Sequence, residues 1–150
     1  MPELAAKDIA DIQVSVVQLG SPEIAEKLSS IGYATREDIL GDHIPPGYDP
    51  DPGQWRKQYF RAPAEQRQTH LHVRQLGLAN QRYALLFRDC LRANRHLADT
   101  YAEIKRELAR LHPDDVDAYY AIKDPVCDLI MNTAELWAVS TDYTFGPSDA

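Results

Sequence analysis

The spacing of apolar residues changes once along the chain, near position 80. Residues 9–17 alternate, with Ala10, Ile12, Val14 and Val16 on one side, which predicts a strand with one buried face and one polar face. Beyond position 80, apolar residues recur every three or four positions, which predicts helices. We therefore expect an α/β (α+β) fold, with a small mixed or antiparallel sheet followed by a helical C-terminal half.

The segments between these two patterns carry start, stop and turn signals. Ser21 and Pro22 provide the cap and first turn of a short helix. Residues 41–53 hold four prolines and three glycines, which predicts a loop. Two strand-like runs follow, and the short turn between them predicts an antiparallel hairpin over 55–62 and 68–76.

Caps and prolines divide the helical half. They predict helices over the ranges 80–94, 97–111, 114–123 and 124–137, with Pro125 in the first turn of the last helix. A chain of 150 residues is the usual size of one domain. We expect a single domain over 1–139 and a tail over 140–150.

Composition narrows the class of partner. The formal net charge of -7 disfavours nucleic acid, because phosphates repel an acidic protein that lacks a basic patch. The sequence has neither an apolar run long enough to span a membrane nor a signal peptide, and Cys90 and Cys127 lack metal-type spacing. We expect a cytoplasmic protein with no membrane partner.

Two histidines form the clearest constellation. His70 and His72 are two positions apart on a predicted strand, so both imidazoles share one face and could meet a metal or a phosphate. Asp11 as a third ligand would complete a set of two histidines and one carboxylate. Two structural alternatives stay open. The histidines could be hydrogen-bonded on a half-exposed sheet face, and Asp11 and Gln13 could simply form a solvated strand face.

Several segments, read in order, resemble the GrpB-like family, a branch of the nucleotidyltransferase-like domains. The matching segments are PELAAKDIADIQV (2–14), THLHV (69–73), ALLFRDCLRAN (84–94), YAEIKRELA (101–109) and AYYAIKDP (118–125). They keep their order over nearly the whole chain. The resemblance implies a sheet of nucleotidyltransferase-like topology.

The resemblance also implies a chemistry that uses Mg²⁺, held by two carboxylates of an Asp-x-Asp/Glu strand. Asp11 and Gln13 occupy these two positions here. Asp11 is then the catalytic carboxylate and metal ligand. A glutamine occupies the second position, and a neutral amide binds Mg²⁺ less well than a carboxylate. The family's Gly-Ser segment is expected ahead of the stretch that begins at Pro2 and is not among these residues. Two explanations stay open: the chain starts late, or it is a truncated, non-catalytic relative. We therefore expect a weakly active or inactive nucleotidyltransferase.

The ligand implied by the resemblance is a nucleotide or another phosphorylated small molecule. Basic and polar residues in the matching segments, or near them, are expected to contact it. They are Lys7, Gln13, Lys57, His70, His72, Arg88 and Lys123.

Two further expectations follow. Such domains also occur fused to dephospho-CoA kinase, so the alternative function is a non-catalytic accessory or regulatory module. Without upstream elements, the 9–17 strand is expected to be a sheet edge, and an exposed edge favours pairing with another chain. We therefore expect a homodimer.

Overall fold

The computed structural model describes residues 9–146. Within that range it contains strands β1 (Ala10–Val16), β2 (Ala34–Thr35), β3 (Gln58–Arg61) and β4 (Thr69–Gln75), and helices α1 (Pro22–Ser30), α2 (Ala79–Ala93), α3 (Arg95–Leu111) and α4 (Val116–Ser140). A short 3-10 helix, Pro52–Trp55, precedes β3.

The described residues divide into two compact units, 9–82 and 83–146, with the boundary inside α2. The first unit holds the sheet and α1, and the second holds most of α2 together with α3 and α4. The single domain over 1–139 and the tail over 140–150 stay predictions.

The strands form one mixed sheet in the order β1-β4-β3-β2. β3 pairs antiparallel with β4 and with β2, which confirms the predicted hairpin. β1 runs parallel to β4, its neighbour in the sheet. The mixed sheet followed by a helical half confirms the predicted fold class.

One face of the sheet carries the core of the first unit. Phe60, Leu71 and Val73 are buried there. Partly buried residues from β1, α1 and the adjoining turns pack against them: Val16, Leu19, Ile24, Ala25, Leu28 and Tyr33. The amphipathic α1 thus covers the sheet near the end of β1.

The prediction that the whole apolar side of β1 is buried was wrong. Val16 packs into the core, but Ile12 is 42% exposed and Val14 is 38% exposed. β1 is the outermost strand of the described sheet, and an outer strand has sheet neighbours on one side only.

The predicted loop is confirmed over 41–51, whereas Pro52 and Gly53 begin the 3-10 helix. The ends of the loop are tied together. Gly41 forms an isolated bridge with Arg56, and the Asp42 backbone N–H donates to the Trp55 carbonyl at 2.8 Å. The Trp55 ring is buried, and its indole N–H donates to the Asp49 carbonyl at 2.9 Å. The loop therefore closes on its own backbone.

Asp42 is the centre of an ionic network between this loop and the sheet. Its carboxylate accepts hydrogen bonds from Lys57 Nζ at 2.5 Å, Arg74 Nε at 2.9 Å and Asn80 Nδ2 at 3.0 Å. Burial by itself would raise the pKa of Asp42. Hydrogen bonds and positive charge from Arg74 and Lys57 outweigh burial and lower that pKa to about 2.

The second unit has a core between its helices. Leu91, Tyr101 and Ile130 are buried, and Val126 and Cys127 of α4 pack against them. The cap predicted for the helix that begins near residue 114 is confirmed. The carboxylate of Asp115, directly before α4, accepts a hydrogen bond from the Ala118 N–H. No helix in the described part of the chain is long and apolar enough to cross a membrane.

The predicted helix boundary at Asp124 and Pro125 was wrong. α4 runs without interruption from Val116 to Ser140, with Pro125 inside it. A proline in a helix removes one backbone hydrogen bond, which disfavours continuation. Val126, directly after the proline, packs into the core of this unit, and such tertiary contacts offset the lost bond.

Replacing the carboxylate at the centre of the ionic network tests its contribution to stability. We expect Asp42→Ala to lower the free energy of unfolding by about 3 kcal/mol, because Lys57 and Arg74 lose their partner. The pKa of Asp42 is about 2 when folded and rises to about 4 in an unfolded chain. Its stabilisation is therefore present above about pH 4 and is lost as the pH falls through the folded pKa. Urea unfolding at neutral and acidic pH measures the difference.

Asp38→Ala is the matched control, since its ion pair with Arg36 is exposed and such pairs contribute little. Equal losses of stability in the two variants would contradict the central role of Asp42. So would a difference between wild type and Asp42→Ala that persists at the lowest pH.

The exposed edge of the sheet generates a prediction about assembly. Within residues 9–146, β1 has a strand neighbour on one side only, and Ile12, Val14 and Val17 are exposed. We expect a homodimer that pairs through this edge, measured by light scattering after gel filtration. Val14→Lys should shift the protein to monomer, whereas Leu129→Lys on α4 should not. A monomeric wild type, or a dimer that only Leu129→Lys disrupts, would contradict this.

Candidate functional site

The second face of the sheet is polar, and the strand register brings its side chains into rows. Partners in neighbouring strands project to the same face, whereas successive residues alternate. The rows across β1, β4 and β3 are Asp11 with His70 and Arg61, Gln13 with His72 and Tyr59, and Ser15 with Arg74.

Asp11, His70 and His72 converge at one point of this face. The Oδ1 atom of Asp11 lies 3.2 Å from His70 Nδ1 and 3.9 Å from His72 Nε2. One ligand atom from each of the three residues lies within 4.8 Å of the other two. The Asp11 side chain is 71% exposed, whereas His70 and His72 are 25% and 19% exposed. The cluster is therefore open on its Asp11 side.

The two histidine rings rest against a buried aromatic residue. The centroid of the Tyr59 ring lies 5.5 Å from that of His70 and 5.1 Å from that of His72. Tyr59 itself is 5% exposed. Packing against the Tyr59 ring restricts the orientations of both imidazoles, which face Asp11.

The charge states of the cluster suit a cation. The neighbouring His72 lowers the pKa of Asp11 most, against partial burial, and His70 lowers it further. Burial lowers the pKa of His72, and the positive charges of Arg74 and Lys57 add to that effect, while Asp11 opposes it. At neutral pH the cluster therefore holds an ionised carboxylate and a neutral His72 imidazole, the forms in which both groups bind metals.

Gln13 is engaged by its neighbours. Its Oε1 accepts from Arg74 Nη1 at 2.6 Å, and its Nε2 donates to the Gln81 carbonyl at 3.4 Å. The same Arg74 is held by Asp42, so the amide oxygen of Gln13 faces a fixed guanidinium.

This donor set does not fit Mg²⁺ well. Mg²⁺ prefers six oxygen ligands in near-ideal octahedral geometry. The cluster offers one carboxylate and two imidazole nitrogens. The oxygen of Gln13, at the position of the second carboxylate, is already bound to Arg74. No step that uses Mg²⁺ can be derived from these residues.

A cavity of about 330 Å³ adjoins His70. Its walls are Arg61, Thr69, His70 and residues of the turn that joins β3 to β4. Arg61 lies opposite His70 in the register, so the two residues share the polar face, and both line this cavity.

The other predicted site residues have different surroundings. Lys57 directly precedes β3 and forms an ion pair with Asp42. Arg88 and Lys123 belong to the helical unit. There Arg88 pairs with Asp89 at 2.7 Å, and Lys123 lies 3.4 Å from Asp124 and 5.2 Å from the centre of the Tyr120 ring. Lys7 lies outside the described residues.

Sequence reasoning missed three residues of the site. Arg74 could have been found, because it continues the alternation of His70 and His72 on the same strand. Arg61 could have been found only from the hairpin register. Nothing in the proline-rich loop marked Asp42 as the partner of Arg74.

The comparisons with known proteins agree on a family. The model of the family described as GrpB protein matches residues 1–133. A dephospho-CoA kinase of Mycobacterium leprae is 34% identical, with 95% of this chain and 37% of the relative covered. The UPF0157 protein YqkA of Bacillus subtilis is 30% identical, over 91% of this chain and 36% of the relative. The chain thus spans little more than a third of the length of these relatives.

A solved structure supports the same assignment. The crystal structure of conserved protein GrpB from Enterococcus faecalis matches with a TM-score of 0.68 and 29% identity, and the match covers 91% of this chain and 76% of that one. The family match extends over well more than half of the chain, and the fold agrees with it. The chain therefore belongs to the GrpB family.

Proposed function

We propose that this chain binds a nucleotide or another phosphorylated metabolite on the polar face of its sheet. The observation that carries the proposal is the convergence of Asp11, His70 and His72 beside the cavity that Arg61 lines. Such a concave place with a few convergent polar groups is the usual form of a small-molecule site.

Charge favours a phosphorylated ligand at this place. A guanidinium can donate two parallel hydrogen bonds to phosphate oxygens, and an imidazole can donate a third. Arg61 and His70 both line the cavity. Lys57 and Arg74 add positive charge nearby, although Asp42 balances part of it. The net charge of -7 favours a small ligand over a nucleic acid.

We also propose that the chain is weakly active or inactive as a nucleotidyltransferase. Transfer with two metals needs carboxylates that hold both ions near the attacking and leaving oxygens. Here Gln13 replaces one of them, and its oxygen accepts from Arg74 at 2.6 Å. A second divalent ion would meet a guanidinium at that position.

A second candidate function is an accessory module of the dephospho-CoA kinase type. The observation that favours it is that relatives named dephospho-CoA kinase are matched over 95% of this chain but over 37% of their own length. Those relatives therefore contain further sequence beside a region like this one. A module of this kind needs no carboxylate pair. For both functions we propose the cytoplasm as the compartment.

Binding of ATP and of inorganic pyrophosphate tests the first function. We expect both to raise the unfolding temperature of the chain, since a ligand at 100 times its Kd adds about 2.7 kcal/mol to stability. Arg61→Gln should weaken the binding at least tenfold by calorimetry, because it removes the positive charge of a residue that lines the cavity. Arg106→Gln, on the exposed face of α3, is the matched control and should bind like wild type.

Equal affinities in Arg61→Gln and wild type would place the ligand elsewhere and contradict the proposed site. Absence of binding by any nucleotide, together with co-purification with a dephospho-CoA kinase, would favour the accessory module.

The proposed lack of transfer activity has its own test. We expect background incorporation of label from nucleoside triphosphates in the presence of Mg²⁺, because Gln13 cannot replace a second carboxylate. Robust Mg²⁺-dependent incorporation that Asp11→Asn abolishes would contradict this proposal.

A further inference from the structure

We infer that Asp11, His70 and His72 together bind one divalent transition-metal ion, such as Zn²⁺ or Co²⁺, in preference to Mg²⁺. The inference deepens the proposed function at the same site. It rests on that function only for the identity of the ligand that meets the metal.

The spacing of the donors is close to what one ion needs. Two donors that are each about 2.1 Å from an ion, at a tetrahedral angle, lie about 3.4 Å apart. Asp11 Oδ1 is 3.2 Å from His70 Nδ1 and 3.9 Å from His72 Nε2. All three donors lie within 4.8 Å of one another. The Asp11 side chain is 71% exposed, so it can rotate to shorten its own distance to His72 Nε2.

The chemistry of the donors selects the kind of metal. Imidazole nitrogen suits Zn²⁺, Co²⁺, Ni²⁺ and Cu²⁺, whereas Mg²⁺ prefers carboxylate, carbonyl and water oxygens. Two nitrogens and one carboxylate are a recurrent ligand set of catalytic zinc centres. The donor closest to completing an oxygen-rich set, Gln13, is held by Arg74 instead.

The two histidines are held on a rigid element. β4 has strand neighbours on both sides, β1 and β3, and His70 and His72 alternate with the buried Leu71 and Val73. Tyr59 packs against both rings. Ligands positioned by a central strand and a buried aromatic lose little further freedom when an ion binds, which favours binding.

Three protein donors leave one position of a tetrahedral ion open, as in catalytic rather than structural sites. Arg61 lies opposite His70 in the register and lines the adjoining cavity. A phosphate that occupies the open position would have one oxygen on the metal and others near this guanidinium. The metal and Arg61 thereby recognise the same anionic group.

Metal titration of the untagged full chain, stripped with a chelator and dialysed, tests the inference without any activity assay. We expect one equivalent of Co²⁺ to give the visible absorption bands of a four- or five-coordinate ion. Calorimetry should give one Zn²⁺ site, and Mg²⁺ should bind at least tenfold more weakly.

Variants assign the site. Asp11→Asn, His70→Gln and His72→Gln should each weaken Co²⁺ binding at least tenfold and reduce the absorption bands. Even substitution of a residue that only hydrogen-bonds a metal ligand typically lowers metal affinity about 10–100-fold. His96→Gln is the matched control, because His96 is exposed on α3 and lies outside the cluster. Circular dichroism shows whether each variant is folded, and the exposed Asp11→Asn keeps the assignment testable if a histidine variant unfolds.

Lack of a stoichiometric Co²⁺ or Zn²⁺ site, or equal affinity for Mg²⁺, would overturn the inference. Binding that His96→Gln weakens as much as the cluster variants would overturn it too. ATP binding measured with chelator present separates this failure from that of the proposed function. If ATP binds and Zn²⁺ does not, the metal site falls and the proposed function stands. If Zn²⁺ binds and ATP and pyrophosphate do not, the proposed function falls and the metal site stands.

Discussion

The parallel pairing of β1 with β4 brings together residues that are almost sixty positions apart in the chain. Asp11 pairs with His70 and Gln13 with His72 in this register. Side chains alternate with a period of two, so a shift by one residue would replace Asp11 with an apolar neighbour on the polar face. The core restricts such a shift, because Val16 packs with Phe60, Leu71 and Val73 on the other face. Hydrophobic burial on one face thus sets the chemistry of the other.

Asp42 adds a second constraint on the polar face. One carboxylate accepts hydrogen bonds from Lys57, Arg74 and Asn80, and so joins the proline-rich loop to β4 and to the start of α2. Charges with this little exposure to water stabilise a fold only when they are paired and well hydrogen-bonded. The network also orients Arg74 towards Gln13. The loop therefore affects the site, although none of its residues belongs to the cluster of Asp11, His70 and His72.

Membership of the GrpB family is shown by sequence and by fold, and the site supports a narrower proposal. The polar face provides one ionised carboxylate, two imidazoles and a nearby guanidinium. This combination is suited to one metal ion and one anionic group. It is poorly suited to a pair of Mg²⁺ ions, because the second carboxylate position carries an amide bound to Arg74. We therefore propose binding, and not nucleotidyl transfer, for this chain.

Local patterns in the sequence were sufficient for much of the architecture. Alternation, caps and turn residues predict β1, α1, the β3–β4 hairpin and the loop over 41–53, because each depends on neighbours within a few residues. The same alternation places His70 and His72 on one face. It wrongly predicted that Ile12 and Val14 are buried, because alternation does not show how far other elements cover a strand. Nor could it predict that α4 continues through Pro125, since contacts from Val126 and Cys127 to distant residues offset a local penalty.

The sequence by itself therefore determined most of the elements, the family and the kinds of donor on each strand. Tertiary structure decided which donors meet. The parallel register between β1 and β4 brings Asp11 to the histidines, and a parallel pair has no connecting turn that would reveal its register in the sequence. The partners of Arg74 likewise come from segments far apart in the chain. Only the tertiary structure therefore shows that the Gln13 oxygen accepts from Arg74 and that Asp42 holds the guanidinium in place.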